Sequence, residues 1–331
     1  MAEAIRTLDD VARAAGVSRA TASRALNGGR NVSPRAMAAV MRVVQEHGYQ
    51  PNPAARSLVT RHIGAIAVIV PEADELVFSD PFFPQAYHGA LTAFKDSDYQ
   101  VTLVMAEPQD SGRIVRYLES GLVDGAIVVS HHGQELASAL AKASRPLTFV
   151  GSPGIVDAPF VELDQVSAAR TATEYLIGKG ARRIAHIAGP LDMNAGAGRQ
   201  AGFEAAMDDA GLAPVGIEPG GFTIRGGQAA AERLLDAEPD LDAIFVASDL
   251  MAAGAVRTLG KRGRRIPADV MVVGFDNSPV AVQTLPALTS MTNPPAVMAE
   301  AAAKMLLSLL SGDGPEWPVI IQSELVVRGS A

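Results

Sequence analysis

The chain has 331 residues and no cysteine. Disulfides, thiolate metal sites and a cysteine nucleophile are therefore excluded, and the composition fits a reducing cytoplasm. No apolar run approaches the roughly 20 residues that cross a bilayer, so no membrane partner is expected. The first residues lack a basic stretch followed by an apolar one. No secretory signal is expected, and the expected compartment is the cytoplasm. Neither a GxSxG elbow nor a Walker loop occurs, and without a catalytic constellation no enzyme is expected. Aromatic residues are scarce at 5%, although 48% of the chain is hydrophobic. That balance suits an α/β protein built from Ala, Val, Ile and Leu. There is no low-complexity tract and no short-period repeat.

Lysine is missing from residues 1–61, yet nine arginines stand there against four carboxylates. That segment carries +5, so the remainder holds −13 of the formal net −8. A small basic module on an acidic body is the charge pattern of a polyanion-binding head.

Local signals divide this head into helices. Thr7 can cap a helix from Leu8, with Asp10 completing a capping box. Leu8, Val11, Ala12 and Ala15 then share one face, and Gly16 ends the helix. Ser18 can cap a second helix to about Leu26, which turns Ala22 and Leu26 inward and exposes Ser18, Arg19, Ala20, Thr21, Ser23 and Arg24. Ser33-Pro34 starts a third helix with Val40, Val43 and Val44 as core. An exposed helix start carrying arginine, small residues and hydroxyls suits the major groove: arginine reads guanine O6 and N7, and hydroxyls and helix N-termini hold phosphates. The pattern is a helix-turn-helix. In "YQPNPAARSLVTRH", Asn52 and Pro53 start a short helix that reads as a hinge, marginal without a partner.

From Ile63 apolar runs alternate with helical patterns, as in "IGAIAVIV", "GAIVV", "RIAHIA", "AIFVAS" and "VMVVGFD". This implies parallel sheets covered on both faces, in two α/β lobes. Helices are expected at 84–97, 111–121, 134–143, 165–179, 199–210, 226–236, 250–262 and 294–311, with a short strand at "GFTI" and a last strand at "SELVVR". Parallel strands aim their C-terminal ends at a cleft, where Asp249 and Asp276 follow their strands and Arg199 opens a helix. Gly196 to Ala201 satisfies GxGxxA, but its strand ends several residues too early for a dinucleotide site. His131 and His132 lack a cysteine or a nearby acidic residue in sequence and read as a solvated loop. No metal and no cofactor are expected.

"TLDDVARAAGVSRATASRALNG" followed by "VSPRAMAAVMRVVQEHGYQPNPAARSL" resembles the DNA-binding head of the LacI/GalR family of bacterial transcription regulators. "GPLDMNAGAGRQAGF", "VASDLMAAGAV", "IPADVMVVGFDN" and "ELVVRGS" extend the resemblance through the body. It implies an all-α helix-turn-helix head at 1–50, a hinge helix at 51–61 and a two-lobed periplasmic-binding-protein-like (type I) body at 62–331 for effector binding and dimerisation. The N-lobe would be about 62–163 plus 292–320 and the C-lobe about 164–291 plus 321–331. Arg19, Ala20 and Arg24 would read bases, and Thr7, Ser18, Thr21, Ser23, Asn27, Ser33 and Tyr49 would contact phosphates. Leu58 would wedge into the minor groove, trading unstacking for a bend.

In the body, the resemblance assigns effector contacts to Arg199 and Asp276, an aromatic wall to Phe222, the opposing wall to Phe82 and Phe83, and a cleft-edge pair to Ser248 and Asp249. Two positions depart from the family pattern: Ala22 replaces the usual valine and Asp80 the usual asparagine, the latter after a long loop, "PEADELVFS". The expected function is a ligand-responsive, homodimeric repressor of carbohydrate-utilisation genes, associated with the nucleoid. It would bind double-stranded, pseudo-palindromic operator DNA and a sugar or sugar phosphate. A nucleobase effector and, in another class, a solute-binding protein are the alternatives. The ending carries no heptad tail for a zipper tetramer.

Overall fold

Thr7 and Asp10 cap the first helix reciprocally: Asp10 N donates to Thr7 Oγ1 at 3.2 Å and Thr7 N to Asp10 Oδ2 at 3.0 Å. A cap of this kind contributes about 1 kcal/mol. The helix α1 spans Leu8–Ala14, α2 spans Arg19–Leu26 and α3 spans Pro34–His47. Ser18 Oγ accepts from Thr21 N at the start of α2, and Ser33 Oγ accepts from Ala36 N at the start of α3. Val11, Ala12, Ala22, Ala25, Val40 and Val43 form the core of this unit. Ala25, rather than Leu26, joins Ala22 as the buried residue of α2, and Leu26 is half-buried at the rim. Ala22 and Ala25 are at i and i+3, so both lie on the stripe that faces α1 and α3. The computed structural model describes residues 5, 7–26, 31–49, 62–106, 110–154 and 157–331. Asn27, Leu58 and the expected hinge helix lie outside them.

Residues 1–64 and 65–331 are separate compact units. The larger unit holds two six-stranded sheets. In the first, β1 (Ala65–Val70), β2 (Gln100–Met105), β3 (Gly125–Val129), β4 (Leu147–Val150), β5 (Phe160–Leu163) and β11 (Val319–Ile321) run in the order β11-β5-β4-β3-β1-β2, with every pairing parallel. The second contains β6 (Ile184–Ala188), β7 (Gly216–Pro219), β8 (Ala243–Val246), β9 (Met271–Asp276), β10 (Thr289–Thr292) and β12 (Leu325–Val326), in the order β12-β10-β9-β8-β6-β7. Only β12 is antiparallel there. The chain passes between sheets after Leu163, after Thr292 and after Ile321. The central strands β1 and β3 are almost wholly buried, which is why they read as continuous apolar runs rather than alternating ones.

Four details differ from the sequence reading. "GFTI" is not a strand: β7 ends at Pro219, Phe222 takes a left-handed φ of 55°, and Thr223 caps the following helix α10, Ile224–Ala237. A residue turned this way leaves the ladder, so pairing stops before it. The helix expected at 199–210 is α9, Asn194–Asp209, so Arg199 lies inside it rather than at its opening. "PEADELVFS" folds into a short helix, α4, Asp74–Ser79. The strands β5 and β11, with four and three residues, were too short to give a periodic signal.

The helices α5 (Phe82–Phe94) and α12 (Pro295–Ser311) touch through backbone at Gly89. A Cβ there would stand 2.0 Å from the Ala296 carbonyl oxygen. Gly89→Ala is therefore expected to cost about 3 kcal/mol by overpacking. A urea titration should show a lower midpoint at an unchanged slope.

Candidate functional site

On the head, Arg19, Ala20 and Arg24 stand exposed along one side of α2. Thr21 and Ser23 are half-buried beside them. The Thr21 hydroxyl pairs with Ser18 Oγ at 2.9 Å and accepts from Arg24 Nη2 at 3.5 Å. Arg19 Nε lies 3.4 Å from Asp9, and both side chains are exposed. Pairs of this kind are weak, so Arg19 can exchange Asp9 for a stronger acceptor. Thr7 and Ser33 already serve as caps. Tyr49 packs against the head core, where burial raises its phenol pKa, helped by Asp10 and Asp9.

In the larger unit a cleft of about 780 Å³, including the open space at its mouth, lies at the C-terminal ends of the strands of both sheets. Arg199 forms its floor and is 3% exposed. Its Nε donates to Gln165 Oε1 at 2.9 Å and its Nη1 to the Ala247 carbonyl at 2.5 Å. Asp276 Oδ1 stands 3.5 Å from that same Nη1. The guanidinium lies 3.7 Å from the Phe275 ring centroid and 5.6 Å from that of Phe222. Burial pulls its pKa down, while Asp276, Glu162, Asp249 and Asp80 oppose the shift. Asp276 also accepts from Asn293 Nδ2 at 3.0 Å. Its φ of 101° is a strained backbone for a non-glycine residue. Phe222 sits close above Gly189, where a Cβ would be 2.3 Å from its ring.

Six of the seven residues expected at the effector site line this cleft: Arg199, Asp276, Phe222, Ser248, Phe82 and Phe83. Phe82 and Phe83 meet edge to face at 5.4 Å. Asp249 does not line it. Its carboxylate is fully buried and accepts from Ser278 N and Ser290 Oγ, each at 2.7 Å. It therefore holds the loop after β9 from beneath. Burial, reinforced by Asp276, raises its pKa.

The cleft also recruits residues that sequence reasoning passed over. Glu72 follows β1, Ser130 and His131 follow β3, Glu162 lies on β5 and Asn293 follows β10. Each stands at or just beyond a strand's C-terminal end, the same rule that singled out Asp276. His131 and His132 are not a solvated loop. His131 is 8% exposed, and burial lowers its pKa. His132 lies between Glu72 Oε1 at 3.1 Å and Asp192 Oδ2 at 2.8 Å, acidic partners from opposite sides of the cleft. Gly133 N donates to the Asp192 carbonyl at 2.8 Å beside this bridge.

Hydrogen bonding to Glu72 is the largest cause raising the His132 pKa from 6.5 to about 9. A raised histidine stabilises the folded state fully below its ordinary pKa, and that contribution is lost as pH rises through the raised value. Removing His132 with His132→Ala should thus lower the melting temperature at pH 6 to 7, and the wild-type and variant curves should converge above about pH 9. Thermal scans across that range test this.

Family models match at both ends of the chain. Residues 7–52 match the model described as bacterial regulatory proteins, lacI family. Residues 173–331 match a periplasmic binding protein-like domain. The HTH-type transcriptional regulator CelR of Thermobifida fusca is 39% identical, covering 98% of each chain. A solved complex of the transcriptional regulator CelR with cellobiose superposes with a TM-score of 0.77 at 37% identity, covering 98% of this chain and 99% of that one. The lac repressor dimer bound to operator and the anti-inducer ONPF gives a TM-score of 0.86 at 25% identity, covering 98% of each chain.

Proposed function

The chain belongs to the LacI family of bacterial regulatory proteins, and we propose that it represses carbohydrate-utilisation genes as a homodimer on a pseudo-palindromic operator. It is a ligand-responsive transcription regulator, as its relatives are, and not an enzyme. In this reading residues 1–50 form the DNA-reading head, 51–61 the hinge and 62–331 the effector-binding and dimerisation domain. Arg19, Ala20 and Arg24 read base edges. Ser18, Thr21 and Ser23, with Thr7, Ser33, Asn27 and Tyr49, hold the phosphate backbone, and Leu58 wedges at the operator centre. A two-fold dimer sets one head on each half-site. The protein works in the cytoplasm, on the nucleoid.

One observation carries the effector half. Arg199 and Asp276 stand 3.5 Å apart at the bottom of a cleft walled by Phe222 on one side and by Phe82 and Phe83 on the other. A charged pair between aromatic walls suits the hydroxyls and apolar face of a sugar. The cellobiose complex of a relative supports the same ligand class. Binding shifts the balance between open and closed lobes, and lobe closure sets the spacing of the paired hinges. No helix among the described residues is long and apolar enough to cross a membrane.

Selection of binders from a pool of random duplexes, with and without cellobiose, tests this function. An enriched pseudo-palindrome with a constant centre, released or retained in a sugar-dependent manner, is the expected result. A failure to enrich any duplex under either condition would overturn the repressor reading.

A further inference from the structure

His131 Nδ1 and Asn293 Oδ1 sit within the wall of the cleft, buried with no hydrogen-bond partner and without surface that a ligand could touch. Asp80 also lines it, and its recorded hydrogen bond is from Phe82 N to Oδ1 at 2.9 Å. No ion pair reaches Asp80 among the described residues. Glu72 and Glu162 are already matched: Ser130 Oγ and His132 donate to Glu72, and Gln165 Nε2 and Asn194 Nδ2 to Glu162.

Glu72, Asp80, Glu162 and Asp276 line the cleft, against Arg199 as the one guanidinium or ammonium among its described lining residues. His132 balances Glu72 from behind. Asp80, between α4 and α5, and Asp276, at the end of β9, share both the cleft and an adjoining pocket. Arg199 pairs with Asp276 alone of these two. Asp276 thus has a counter-charge and Asp80 has none among the described residues, so an ionised Asp80 in this desolvated site calls for a cation or a proton of its own.

We propose that the effector of this cleft is an amino sugar, whose ammonium group lies between Asp80 and Asp276. The inference rests on the effector-cleft reading above and narrows it. It disfavours a sugar phosphate, whose negative charge would face the carboxylates of the cleft. The state of Asp80 without ligand agrees: burial, then the charge of Asp276, push its pKa from 3.8 to about 7, with Glu72 adding to the rise and Arg199 opposing it. At pH 6 Asp80 therefore holds a proton, and an arriving ammonium displaces it.

Calorimetry on the full-length protein tests this with glucosamine and its β-1,4-linked disaccharide against glucose and cellobiose. At pH 7 the amino disaccharide should bind at least about tenfold more tightly than cellobiose, the factor that one pKa unit of differential interaction represents. At pH 6, titrations in buffers of different ionisation enthalpy should show close to one proton released per amino sugar bound, and none for cellobiose. Asp80→Asn, which keeps the side-chain shape, should bring the affinity for the amino disaccharide down to that for cellobiose and erase the proton release. Cellobiose binding as tightly as the amino disaccharide, or proton release that survives Asp80→Asn, overturns the inference and leaves the repressor reading standing. Binding of neither sugar overturns the inference together with the sugar-effector reading of the cleft, while duplex selection decides the DNA-binding reading separately.

Discussion

Arg199→Ala is expected to destabilise the effector-binding unit by about 3–5 kcal/mol, the cost of leaving buried charges without their partner. It should also abolish the response of DNA binding to effector. Arg199 is held by Gln165, Ala247 and Asp276 and stacked on Phe275. Its removal strands Asp276, with Asp249 and Glu162 close enough to share its field. Those acids would then bind protons more readily, so the variant should lose more stability at pH 8 than at pH 5. Urea titrations at the two pH values measure the loss. Operator binding with and without sugar measures the uncoupling. A variant that kept its effector response would remove Arg199 from the site.

The second large effect is on DNA. Arg24→Ala is expected to weaken operator binding by about 10- to 100-fold, the 1–3 kcal/mol that a bidentate arginine–guanine contact contributes. Arg24 is exposed, and its side chain approaches the Thr21 hydroxyl at 3.5 Å. The head should therefore keep its fold, and its circular dichroism spectrum should not change. Selectivity separates this reading from simple loss of charge. Arg24→Ala should relax preference at one position of each half-site, whereas loss of a phosphate contact weakens all sequences alike and reduces the salt dependence. Selection of operators by the variant shows which occurs.

The elements legible in the sequence are those whose causes are local. The Thr7–Asp10 box spans three residues and formed as its spacing dictates. Ser18 and Ser33 capped their helices for the same reason. Asp276 was visible because it ends a buried strand, and parallel strands place such residues at a cleft. The same rule reached Asp249 and misplaced its side chain, because the partners that turn it inward, Ser278 and Ser290, lie 29 and 41 residues away. The start of α9 gave no signal, since Met193 precedes it without a side-chain cap. His132 was discounted for want of an acidic neighbour in sequence, yet its partners Glu72 and Asp192 each lie 60 residues off and meet it only in the fold.

Composition, caps and hydrophobic period thus determined on their own that a basic three-helix head precedes an acidic body of buried parallel strands, because each of those signals acts within a few residues. Tertiary structure alone decided which polar groups face the cleft and which are consumed beneath it. Burial, hydrogen-bond partners and ionisation belong to the space between distant segments. For that reason the surplus of carboxylates around Arg199 is a property of the folded chain.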